Sequence, residues 1–192
     1  VIENGYIKEI QEKPQDPPSP YAVAGIYVYD QHIFDVLDVL EVSDRGEFEI
    51  SDAHTRLIQS GYSVGYQEIT GWWKDTGKPE DLLEGNGLIL SRITSDIQGT
   101  IGENVSLQGA VRIAPGAQIT GNSVIRGPVV IGEGTHVHNA YIGPYTSIGK
   151  ECYLTEVEVE QSIIMNNSYI EVDTRIVDSL IGHKTHITSR AD

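Results

Sequence analysis

Val111-Arg112-Ile113-Ala114-Pro115-Gly116-Ala117-Gln118-Ile119-Thr120-Gly121-Asn122-Ser123-Val124-Ile125 is the stretch that decides the fold of this chain. Ile113, Ile119 and Ile125 stand six residues apart, and two positions before them stand the small residues Val111, Ala117 and Ser123. The aliphatic anchor recurs outward at Ile101, Leu107, Ile131 and Val137. It then continues at Ile142, Ile148, Leu154, Val159, Ile164, Ile170, Ile176, Ile181 and Ile187, with four steps shortened to five. The position two before every anchor, from Gly99 and Val105 to Ser179 and Thr185, never holds anything larger than valine. A repeat this strict predicts a narrow left-handed parallel β-helix over residues 97–192. Each hexad forms one short strand, three form a coil, and sixteen make about five coils that bury together what no single hexad could. Cys152 falls on the small-residue row, so it reads as packing rather than as a reactive thiol.

Residues 1–92 have no such repeat. Val1–Ile2, Ile7–Gln11, Val23–Tyr29 and Ser63–Glu68 alternate as strands do, whereas Gln31–Leu40 and Asp52–Gln59 carry apolar residues at helical spacing. Gln15 to Pro20 is a proline-rich loop, and Pro79 opens a helix that runs on through Leu82–Leu90 as the connector to the first coil. The expectation is a mixed α/β region followed by the β-helix.

The chain has 192 residues and a formal net charge of −15, from 13 Lys+Arg against 28 Asp+Glu. That balance argues against nucleic-acid or anionic-membrane partners. A single cysteine excludes an internal disulfide framework and suits a cytoplasmic, reducing setting. No stretch approaches the roughly 20 apolar residues of a membrane span. The chain opens on Val1 inside an expected strand, from which we expect a piece of a longer protein.

Four short motifs carry chemistry. In Glu12-Lys13-Pro14 the carboxylate suits sugar hydroxyls and the ammonium suits phosphate; otherwise the pair is an exposed strand end. Tyr21-Ala22-Val23-Ala24-Gly25 offers small residues where backbone could approach a ligand. Arg45-Gly46-Glu47-Phe48-Glu49 sets a guanidinium before a helix, for phosphate or for a salt bridge to Glu47 or Glu49. Gly71-Trp72-Trp73-Lys74-Asp75-Thr76-Gly77 is a turn whose Asp75 either shapes the turn or offers oxygen to Mg²⁺.

In order and spacing these motifs resemble the sugar-binding half of glucose-1-phosphate thymidylyltransferases, and the β-helix resembles the tail of the longer members. The resemblance spans essentially the whole chain. It implies a partial nucleotidyltransferase α/β domain over 1–92, with Glu12 holding sugar hydroxyls and Val23 touching sugar through its backbone. It also implies that Lys13 and Arg45 bind the sugar phosphate and that Asp75 is one of two aspartates holding Mg²⁺. The implied reaction joins a sugar 1-phosphate to the α-phosphate of a nucleoside triphosphate such as dTTP and releases pyrophosphate. The family's Gly-rich loop with Gly-Thr-Arg and its other metal aspartate are absent from these residues, so no complete catalytic set is expected and the chain alone is expected to be inactive.

Two other functions compete. Many hexapeptide-repeat proteins are acyltransferases that use a histidine, and His136, His138, His183 and His186 are the candidates here; a bifunctional nucleotidyltransferase–acetyltransferase would combine both activities. Alternatively the β-helix is a non-catalytic module for homo-oligomer assembly or regulation.

Overall fold

A computed structural model describes residues 1–189, and the chain divides into two compact units, one spanning Val1–Gly71 and one beginning at Trp72. This contact boundary falls before helix α3 (Pro79–Leu90), which belongs with the second unit.

The first unit holds a hairpin and two helices. Strands β1 (Ile2–Glu3) and β2 (Tyr6–Ile7) pair antiparallel, with Ile2 opposite Ile7. Asn4 and Gly5 join them at φ 52° and 82°, the left-handed pair that a two-residue hairpin turn requires. Helix α1 (His32–Leu37) and helix α2 (Ile50–Gln59) bury Ile33, Val36, Ala53 and Leu57 against each other. The second helix ends where expected: Gly61 turns at φ 86°, and the next amide, of Tyr62, donates back to Leu57 O at 3.0 Å.

Val23–Tyr29 and Ser63–Glu68 are not laddered strands, contrary to the sequence reading. A strand exists only through a neighbour that takes up its N–H and C=O groups. Among the described residues the only backbone–backbone bond of the first segment is the local one from Ile26 N–H to Ala24 O. The second contributes Val64 O to the Ile7 amide at 2.9 Å. Ile26 and Val28 are consequently exposed at 77% and 95%.

The second unit contains the parallel β-helix. Its strands run from β3 (Asp96–Ile97) to β19 (His186–Thr188) and stack into parallel sheets of six, five and six strands, each strand pairing with the third one along the chain. Anchors sit in register: Ile119 of β7 (Gln118–Thr120) pairs with Val137 of β10 (His136–His138), which pairs with Leu154 of β13 (Tyr153–Thr155). From Ile113 to Ile170 every anchor is essentially sealed from solvent, each contributing roughly 1.5–3 kcal/mol by burial.

The small-residue row is equally buried, from Val111 to Ser168. A Cβ built at Gly99 would stand 2.6 Å from Ala117 O, so this position of the row has no room even for alanine. Its hydroxyls lace successive coils together. Ser123 Oγ accepts the Ala140 amide, Thr135 Oγ accepts that of Cys152, and Ser162 Oγ accepts that of Ser179. Each shortened step turns through a left-handed residue two past its anchor, namely Asn139, Glu156, Gln161 and Asp178, at φ between 46° and 53°. Such a turn closes the corner with one residue fewer.

Candidate functional site

The four motifs divide between the two units. Glu12, Lys13, Val23 and Arg45 belong to the first, whereas Asp75 belongs to the second.

In the first unit, a tight turn presents Arg45. Ser43 N–H donates to Glu47 O and Gly46 N–H to Ser43 O, both at 2.8 Å, while Gly46 adopts φ 80°. From this turn the guanidinium reaches three carboxylates: Glu49 Oε1 at 3.2 Å, Glu12 Oε1 at 3.5 Å and Glu47 Oε2 at 3.8 Å. The salt bridges to Glu47 and Glu49 foreseen for Arg45 are therefore formed, and Glu12 joins them. Glu12 Oε2 accepts from Ser51 Oγ at 3.3 Å, and its other oxygen lies 3.9 Å from Lys13 Nζ. Three carboxylates against two cations leave the cluster with net negative charge. A phosphate bound at Arg45 would have to displace a carboxylate from the guanidinium fork. Lys13 sits at φ 42° with its side chain largely in solvent. Val23 is half exposed.

Close to this cluster α2 carries a residue that sequence reasoning passed over. His54 is buried, and its Nε2 lies 2.6 Å from Tyr29 Oη; the rings of Tyr27 and His54 stand 5.1 Å apart. Its Nδ1 finds no partner among the described residues. Burial holds the imidazole below its ordinary pKa, and burial likewise pushes the Tyr29 phenol up. An apolar-spaced helix with a histidine on its buried face was the available signal.

In the second unit, Trp72–Gly77 stands before α3 as an irregular segment: the turn expected there forms no backbone hydrogen bond, and the chain bends only at Gly71 and Lys78. Pro79 takes the first helical position, and Asp81 Oδ2 accepts the Lys78 amide at 3.1 Å. Lys74 Nζ meets Glu84 Oε2 at 2.7 Å and Asp81 Oδ1 at 2.9 Å. Hydrogen bonds to Glu84 and then to Asp81 raise the Lys74 pKa, and Lys74 in turn lowers that of Asp81. Asp75 faces solvent, and among the described residues no cation or donor pairs with it. A free, exposed carboxylate fits a Mg²⁺ ligand, which takes one or two carboxylates plus phosphate oxygens and water. No group of three His, Cys, Asp or Glu side chains among the described residues could hold a metal without such outside ligands.

Three of the four candidate histidines of the β-helix are engaged at its surface, and His183 is exposed. His136 stacks on Tyr153 at 4.7 Å and His186 on Tyr169 at 5.7 Å, while His138 Nδ1 lies 2.9 Å from Thr120 Oγ1. Cys152 is fully buried, with burial pushing its thiol up. No helix among the described residues is long and apolar enough to cross a membrane.

Known proteins place this arrangement. Residues 1–92 match the family described as nucleotidyl transferase, and residues 125–192 match the GMPPB C-terminal domain. The chain is 40% identical over its whole length to the low-salt glycan biosynthesis nucleotidyltransferase Agl11 of Haloferax volcanii, of which it covers 54%. It is 39% identical over 98% of its length to a glucose-1-phosphate thymidylyltransferase of Streptomyces griseus, covering 53% of that protein. It is 42% identical over 94% of its length to the bifunctional protein GlmU of Methanocaldococcus jannaschii, covering 44% of it. The chain thus spans about half the length of the curated relatives it matches. On these matches residues 1–92 belong to the nucleotidyl transferase family, joined in this chain to a parallel β-helix.

Proposed function

We propose that this chain is the sugar-phosphate-binding and assembly part of a cytoplasmic glucose-1-phosphate thymidylyltransferase, which joins glucose 1-phosphate to dTTP and releases pyrophosphate. The observation that supports it most is the Glu12–Arg45–Glu49 cluster, a guanidinium held at the start of a helix beside a carboxylate able to accept from sugar hydroxyls. Glu12 and the backbone at Val23 orient the sugar. Lys13 and Arg45 hold its phosphate for in-line attack, so that the reacting oxygens meet without a search for geometry. Asp75 would hold Mg²⁺, which when bound offsets charge on the transferring phosphoryl group. Residues 1–92 serve the sugar, and residues 97–192 serve homo-oligomer assembly.

No Gly-Thr-Arg occurs in these 192 residues. The chain alone therefore binds sugar phosphate but transfers no nucleotide. Calorimetry with glucose 1-phosphate should show saturable binding that Glu12→Gln weakens, while dTTP, Mg²⁺ and glucose 1-phosphate together yield no pyrophosphate. Pyrophosphate above background would overturn the inactivity, and absent sugar-phosphate binding would overturn the whole reading.

The second reading, a nucleotidyltransferase that is also an acetyltransferase, is favoured by a relative bearing that description, 36% identical over 94% of this chain. Acetyl transfer from acetyl-CoA to an amino-sugar phosphate distinguishes it.

A further inference from the structure

The segment bearing Asp75 is fastened to the second unit by a continuous set of contacts. Lys74, adjacent to Asp75, binds two α3 carboxylates one turn apart, Asp81 and Glu84. Arg92, just past the helix, places its guanidinium 5.9 Å from the centre of the Trp72 ring. Thr76 Cγ2 is the nearest atom to a Cβ built at Gly85, at 4.0 Å. The same helix is then tied to the β-helix at strand β12 (Thr146–Ile148). Asn86 Nδ2 donates to Tyr145 O at 3.0 Å, and Ser147 Oγ donates to Asn86 Oδ1 at 2.5 Å.

Gly85 and Gly87 flank Asn86, although each glycine in a helix interior costs about 1 kcal/mol relative to alanine. A Cβ at Gly87 would stand 3.9 Å from Tyr145 Cδ1, an ordinary contact, so space accounts for neither glycine. A lysine engaged with two carboxylates on one helix has its rotamers restricted, and the backbone beside it is restricted with them.

We propose that Lys74 is a positioning residue. It fixes the Trp72–Gly77 segment, and with it the Asp75 carboxylate, to helix α3, and Asn86 passes that constraint to the β-helix at Tyr145 and Ser147. The β-helix is then part of how the acidic segment is held, in addition to any part in assembly. The catalytic meaning of this rests on the reading of Asp75 as a metal ligand; the fastening does not.

Amide hydrogen exchange on the chain and on Lys74→Met, Lys74→Arg and Asn86→Ala tests it, with Glu133→Gln, in a separate surface pair with Lys150, as control. Lys74→Met should speed exchange of the Lys78 amide, which donates to the Lys74-paired Asp81, by about tenfold, while amides of β10 and β13 keep their protection. Lys74→Arg should restore the Lys78 protection. Asn86→Ala should weaken it as well, although Asn86 makes its side-chain bonds only to Tyr145 and Ser147.

Unchanged exchange in Lys74→Met overturns the anchor, and unchanged exchange in Asn86→Ala overturns the relay. Mn²⁺ binding followed by electron paramagnetic resonance supplies the positioning readout. Lys74→Met should weaken Mn²⁺ severalfold and Lys74→Arg should recover it; faster exchange with unchanged Mn²⁺ affinity overturns positioning. Equal Mn²⁺ affinity in Asp75→Asn and the parent chain, including none in either, overturns the metal reading of Asp75 and leaves the exchange result to decide the anchor.

Discussion

Arg45 Nη1 lies 3.5 Å from Glu12 Oε1, joining two motifs that stand far apart in the chain. The expected phosphate binder and the expected sugar binder are therefore already each other's partners. Arg45 also holds Glu49, so its charge is spoken for before any ligand arrives.

This pairing sets the first prediction. Arg45→Ala should weaken glucose 1-phosphate binding by on the order of tenfold, the scale of one lost charge-assisted contact. Glu49→Gln should instead tighten it severalfold, because one competitor for the guanidinium is gone. Calorimetry at low salt checks both, and weaker binding in Glu49→Gln would contradict the competition.

The second prediction contrasts two threonines of the buried small-residue row. Thr135 Oγ1 donates to Gly149 O at 2.7 Å and accepts the Cys152 amide at 3.0 Å. Thr146 Oγ1, equally buried, has no partner among the described residues. Thr135→Val should cost about 1–3 kcal/mol, whereas Thr146→Val should be neutral or stabilising. Denaturant midpoints of the two variants decide it, and equal losses would mean Thr146 is satisfied after all.

Cys152 supplies the third. Fully buried, with its thiol pushed up by that burial, it should resist iodoacetamide in the folded chain and react only on unfolding. Alkylation in native buffer within minutes would show the coils opening there. Cys152→Leu should destabilise by about 1–3 kcal/mol through overpacking.

The fourth concerns His54. Burial lowers its pKa, so the folded state favours the neutral ring and the unfolded chain binds the extra proton. Its contribution to stability is complete above the unfolded value of about 6.5 and is lost as pH falls from there through the folded value. A proton-NMR titration of the His54 ring should give a midpoint below about 6.5. A midpoint above that would reverse the sign. Tyr29→Phe removes the hydroxyl 2.6 Å from Nε2 and tests whether that bond holds the ring in place.

The helices were legible in outline because apolar spacing and a terminal glycine are local signals. Helix α2 begins at Ile50, two residues before the expected start, and ends at Gln59 as read. The Asn4-Gly5 hairpin was missed: the expected strands, Val1–Ile2 and Ile7–Gln11, were drawn around it rather than through it. Val23–Tyr29 read as a strand because its residues suit one, yet alternation does not provide a partner edge. Lys74 and Asn86 were missed, because their partners lie in other segments and no local spacing announces them.

What the sequence by itself determined is the β-helix. Its spacing places each anchor directly on the anchor three strands later, with the small residues Gly99 to Thr185 two positions before each anchor. Periodicity is a local property, and here it dictates the long-range contacts. Only the tertiary structure decided which carboxylates are free. Glu12, Glu49, Asp81 and Glu84 are all taken by cations, and Asp75 is left open. It also decided that Asp75 travels with the β-helix unit. An ion pair depends on where two side chains end in space, and no repeat in the chain encodes that.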